Sequence, residues 1–93
     1  MNHKAKGSRG EHKAIRLLEA LGFVCMRSAA SRGPFDMIGI SAHEVKLLQI
    51  KCGQARCSPA EREALQLLPV PANCSKEIWT FVDRCREPRI QRV

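Results

Sequence analysis

The chain has no tyrosine, a single tryptophan and three phenylalanines, too few rings for a platform on which single-stranded bases would stack. It has no apolar run approaching the length of a membrane span. Its lysine-bearing N-terminus is not followed by the apolar segment of a signal peptide. Its five cysteines, Cys25, Cys52, Cys57, Cys74 and Cys85, are odd in number and irregularly spaced, with no C-x-x-C pair. That pattern argues against a disulfide framework and against zinc on Cys52, Cys57 and Cys74 or His43. A reducing, cytoplasmic setting is the expectation. His3, His12 and His43 show neither ligand nor triad spacing. Acidic residues are scarce, 9 against 16 Lys and Arg, so the 93-residue chain carries a formal charge of +7. So basic a small domain points to a polyanionic partner, nucleic acid above all.

What remains is ordinary globular material. An apolar content of 44% excludes disorder, and the length suits one domain, residues 1–93, with residues 1–7 as a flexible basic arm. Ser8-Arg9-Gly10-Glu11 has the form of a capping box opening a helix that runs to about Leu21 and stops at Gly22. Glu11 then sits at the N-terminal end of the stripe formed by Ile15 and Leu18, able to lean over a sheet. Phe23 to Arg27 reads as a strand. Ser28 to Gly33 is a small-residue loop that, with Arg27 and Arg32, could hold phosphate. Ser58-Pro59-Ala60-Glu61 opens a second helix that Pro69 ends. Glu77 to Val82 alternates as a strand, and Arg89 to Val93 as a short edge strand.

The organising stretch is Gly33 to Gly53, two apolar strands joined by Ser41-Ala42-His43-Glu44. If Ile40 pairs with Val45, then Ile38 faces Leu47 and Asp36 faces Gln49. Strand alternation sets Asp36, Ile38, Ile40, Val45, Leu47, Gln49 and Lys51 on one side. A carboxylate, an amide and an amine thus cap the open end of an apolar ladder, where polar groups are costly unless something binds. Both faces of the hairpin are apolar, so helices should cover both. The expected fold is α/β, a central mixed sheet flanked by helices in the order αβββαβ with an extra C-terminal strand.

A hard divalent cation, Mg2+ or Mn2+, would find oxygen ligands in Asp36, the Gln49 side chain, the Ile50 backbone carbonyl and Glu11. Such an ion polarises a phosphodiester and acidifies water, while Lys51 offsets charge in the transition state. These residues resemble the PD-(D/E)XK nucleases, and within them the archaeal-type Holliday junction resolvases. The resemblance rests on Arg9-Gly10-Glu11, Arg27-Ser28 with Ser31, Gly33-Pro34-Phe35-Asp36 and Gln49-Ile50-Lys51. It implies a restriction-endonuclease-like core and catalytic positions at Glu11, Asp36, Gln49 and Lys51. It also implies DNA contacts at Arg9, Arg27, Ser28, Ser31 and Arg32, to which the basic loop before the second helix adds Arg56. The implied activity is metal-dependent cleavage of branched double-stranded DNA by a homodimer, with no organic cofactor and no membrane. Leu65, Leu68, Trp79 and Phe81 supply an excess of apolar surface that either forms the dimer interface or fills the monomer's core, and sequence does not separate the two. Two departures stand out: Phe35 separates Pro34 from Asp36, and Gln49 replaces an acidic ligand. Another DNA nuclease of this superfamily, or a DNA-binding protein that has lost its metal, are the alternative readings.

Overall fold

The computed structural model describes residues 3–28, 34–53, 56–82 and 87–93, with side chains from Gly10 onward. The described residues form α1 (His3–Ala20), β1 (Val24–Arg27), β2 (Met37–Ile40), β3 (Val45–Cys52), α2 (Pro59–Leu67), β4 (Cys74–Phe81) and β5 (Arg89–Arg92). The strands make one sheet in the order β1-β2-β3-β4-β5, antiparallel except for the β3–β4 pair. That parallel step is possible because α2 carries the chain back across the sheet between them. No described helix is long and apolar enough to cross a membrane.

The hairpin register is the one its alternation demands, Ile40 opposite Val45 and Ile38 opposite Leu47. Ser41 closes the connection, its hydroxyl accepting from the His43 and Glu44 amides. Alternation along β3 then divides the core. Leu48 and Ile50 join Met37, Trp79 and Phe81 beneath Ala14 and Leu18 of α1. Leu47 and Ile78 pack on the opposite face with Leu65 of α2, and Phe35 closes against that cluster. A Cβ on Gly10 would collide with Cys52 Sγ, so the missing side chain lets α1 lie close on β3. Gly22, at φ 93°, ends α1 in the left-handed region.

Two expectations are corrected, and a choice the sequence leaves open is decided for three residues. The helix begins at His3 and runs through Ser8, so Ser8 is no cap and residues 3–7 are not an arm; Lys4, Ala5 and Lys6 are good helix formers and extend it. β4 begins at Cys74, earlier than its apolar alternation shows, because parallel pairing starts at Val45–Cys74. Leu65, Trp79 and Phe81 are core residues of the single chain, at most 4% exposed, and form no outer surface.

Candidate active site

Four polar side chains meet on the α2 side of the sheet. Asp36 stands one residue ahead of β2, and its Oδ2 accepts from the Ile50 amide at 2.9 Å. Gln49 and Lys51 share a face of β3 and reach the same atom: Gln49 Nε2 donates to Glu61 Oε2 at 2.9 Å, and Lys51 Nζ at 2.8 Å. Glu61 comes from the first turn of α2. Its other oxygen, Oε1, accepts from the Ser58 amide at 3.0 Å, while the Ser58 hydroxyl accepts from the Glu61 amide. The capping box expected there is therefore formed. One carboxylate both starts the helix and clasps the site.

The electrostatics follow from this packing. Burial pushes the Asp36 carboxyl above its ordinary value, against the opposing pull of the Ile50 N–H and Lys51, and nearby Glu61 raises it further. Glu61 moves the other way, to about 2, chiefly through the Lys51 hydrogen bond and then the Ser58 amide. Gln49 is buried, yet its Oε1 has no partner among the described residues. An unsatisfied buried amide oxygen beside two carboxylates offers an oxygen ligand of the kind a hard cation takes. In a strand, a residue's carbonyl points the same way as its N–H, so the Ile50 carbonyl faces the Asp36 side. It lies beyond Leu48, the last β3 residue paired with β2. The donor set of Asp36, Gln49 Oε1 and the Ile50 carbonyl fits a divalent metal. Among the described residues, no three His, Cys, Asp or Glu side chains converge as a metal cluster.

Glu11 lies elsewhere. Its carboxylate pairs with Arg27 Nη1 at 3.1 Å, on the α1 face of the sheet, because Arg27 is the register partner of Met37. Among the described residues no hydrogen bond or ion pair joins Glu11 to Asp36, Gln49 or Lys51. The pair does flank the same end of the sheet, since the Ser28 amide donates to the Asp36 carbonyl at 2.8 Å. Arg56 is exposed ahead of α2. Ser31 and Arg32 lie outside the described residues, and so does the side chain of Arg9.

Glu61 was legible only as a cap. The signal that it does more is topological: a helix connecting parallel neighbours starts above the C-terminal end of the first strand, where Gln49 and Lys51 stand.

No protein-family model matches the chain, and no curated protein is similar to it in sequence. Among solved structures it is similar to the 1.6 Å structure of Archaeoglobus fulgidus Hjc, a Holliday junction resolvase from an archaeal hyperthermophile. The TM-score is 0.77 at 19% identity, over 94% of this chain and 72% of that one. The chain thus shares the overall fold of that structure; its own fold is α/β, a mixed five-stranded sheet with a helix on each face.

Proposed function

We propose that the protein is a metal-dependent endodeoxyribonuclease that hydrolyses phosphodiesters at four-way DNA junctions, working as a homodimer. The observation that carries this reading is the convergence of Asp36, Gln49, Lys51 and Glu61, with Gln49 Oε1 buried and unpartnered. The likeness in fold to a Holliday junction resolvase supports the choice of substrate, as does the charge of +7.

Asp36, Gln49 Oε1 and the Ile50 carbonyl would hold Mg2+ or Mn2+. When bound, the ion supplies a Lewis acid for the phosphoryl oxygens and acidifies the attacking water. Glu61 fixes the Lys51 ammonium at 2.8 Å, so Lys51 enters as an oriented cation. It faces the oxygens on which charge grows as water's oxygen bonds to phosphorus and the bond to the leaving sugar oxygen breaks. Glu61 also restores to the site the negative charge that Gln49 does not bring. Glu11 and Arg27, at the same sheet end, steady the chain leading to Asp36. Arg9, Ser28, Ser31, Arg32 and Arg56 contribute DNA contacts.

The test is a gel of labelled four-way junction, duplex and single strand, each with Mg2+, Mn2+ or EDTA. Junction cleavage in metal, lost in Asp36→Asn and Lys51→Ala while junction binding persists, is the expected result. Preferential cutting of plain duplex would make it another kind of DNA nuclease. Binding with no cutting in either metal would make it a DNA-binding protein on this fold.

A further inference from the structure

Beside the Gln49–Lys51 row, on the same side of the sheet, lies a cleft of about 520 Å³ whose lining includes Arg56, Arg62, Thr80, Arg89 and Gln91. Its position follows from register. Lys51 is partnered by Thr80 on β4, and Thr80 by Arg89 on β5. Gln49 is likewise partnered by Ile78, and Ile78 by Gln91. Partnered residues project from one face, so Lys51, Thr80 and Arg89 form a row across three strands. With strands about 4.8 Å apart, Arg89 stands about 10 Å from Lys51.

Arg62 follows Glu61 on α2 and reaches over the row, its Nη1 donating to Gln91 Oε1 at 3.4 Å. Arg56, ahead of the same helix, lines the cleft with them. Among the described residues no carboxylate lines it. Three guanidinium groups gathered without a counter-charge repel one another, an arrangement relieved when an anion enters. Guanidinium forks match phosphate oxygens in pairs, and Thr80 and Gln91 add neutral donors. The cleft and the Asp36 site therefore share a wall: Glu61 and Arg62 are consecutive residues of α2, one turned to each.

We propose that this cleft is a phosphate subsite for the backbone of the DNA strand that is cut. Each strand of a duplex advances about 3.4 Å per phosphate, so a 10 Å offset places the bound group within about three nucleotides of the scissile bond. Arg89 and Arg62 are its principal ligands, and Arg56 closes the outer side. This assignment rests on the nuclease reading of the Asp36 site.

The experiment measures binding of a fluorescein-labelled four-way junction in EDTA, where nothing is cut, across a series of KCl concentrations. Arg89→Gln should flatten the slope of log affinity against log salt by about one. It should also weaken binding roughly three- to tenfold near 0.1 M salt. Arg89 is exposed, so folding is not at stake; Arg62→Gln, which gives up its bond to Gln91, is read alongside its melting curve. Arg16→Gln removes the same charge from the exposed side of α1, on the other face, and should leave the slope unchanged. The contact is then located with junctions carrying one neutral methylphosphonate at successive positions near the mapped cut. One position should weaken the wild type and cost Arg89→Gln nothing more. Equal slopes for wild type, Arg89→Gln and Arg62→Gln overturn the subsite. So does an Arg16→Gln effect as large as that of Arg89→Gln, or strictly additive losses at every neutralised phosphate. A wild type that cuts the junction while the variants behave identically to it sinks the subsite alone. A wild type that neither binds nor cuts sinks the nuclease reading and the subsite with it.

Discussion

Gln49 holds the site's charge balance. Its amide is buried and half satisfied, with Nε2 on Glu61 and Oε1 unpartnered, and an unpaired buried acceptor costs about 1–3 kcal/mol. Gln49→Glu would set a carboxylate against Glu61 Oε2 with Asp36 close by. Without metal the variant should be less stable by about 1–2 kcal/mol, since like charges at this range repel even after screening by Lys51. Magnesium should reverse that deficit, because a ligand that binds only the folded state stabilises it in proportion to its affinity. Melting temperature followed against Mg2+ concentration, for both proteins, checks it. Identical Mg2+ dependence would mean that position 49 does not touch the ion. The contrast between Gln49 and Glu61 shows which residues a sequence exposes. Gln49 and Lys51 share a face by strand alternation, which needs only local order. Glu61 had a complete local explanation as the third residue of a capped helix, and its second role depends on where a crossover lands.

Among the elements, β4 is held by a buried carboxylate. Glu77 is 3% exposed. It accepts from Trp79 Nε1 at 2.8 Å and from Lys46 Nζ of β3 at 2.9 Å, with Arg92 of β5 at 3.7 Å. One side chain thus ties three neighbouring strands. Burial pushes its carboxyl up, but the Trp79 and Lys46 hydrogen bonds and the charges of Lys46 and Arg92 together outweigh it, and the group ends below its ordinary value. A carboxyl with a lowered folded-state pKa contributes stability above its unfolded value, near 4.3, and loses it as pH falls through the folded one. Glu77→Gln should therefore cost about 2 kcal/mol at neutral pH, with Lys46 left to its more exposed pairing with Glu44. The gap between the proteins should close as pH drops below about 4.3. Urea unfolding at a series of pH values measures it, and a gap independent of pH would show that the charge is not what matters. Nothing in the alternation Glu77-Ile78-Trp79 marks this residue as buried, because its partners on β3 and β5 are far away in sequence. Locally encoded features were readable: the hairpin register, Ser58 as a cap, Gly22 as a stop. The N-terminal extension of α1 was not, since a plausible cap at Ser8 competes with helix formers before it.

For the molecule as a whole, the question is what covers the far edge of the sheet. α2 shields β3 and β4 but leaves the β1–β2 end of its face open, with Val24 74%, Met26 70% and Ile40 50% exposed. Val24 is partnered by Ile40, and Met26 by Ile38, so these side chains form one apolar patch beside β1, the edge of the sheet among the described residues. Aromatic Trp79 and Phe81, the natural guess for an interface, are used up by the monomer's own core. A four-way junction has two-fold symmetry, and paired cuts require two sites, so a self-complementary patch is what the proposed function calls for. Met26→Glu would place two like charges near the axis of such a contact and bury them without partners. The dissociation constant of the proposed dimer should rise at least about tenfold, while the fold and the Asp36 site stay intact. Light scattering gives the mass, and a supercoiled plasmid carrying a cruciform gives the consequence. A dimer linearises the plasmid by paired cuts within one encounter, whereas separated subunits release nicked circles first. A Met26→Glu protein that keeps the wild-type mass and still linearises the plasmid directly would move the interface away from β1.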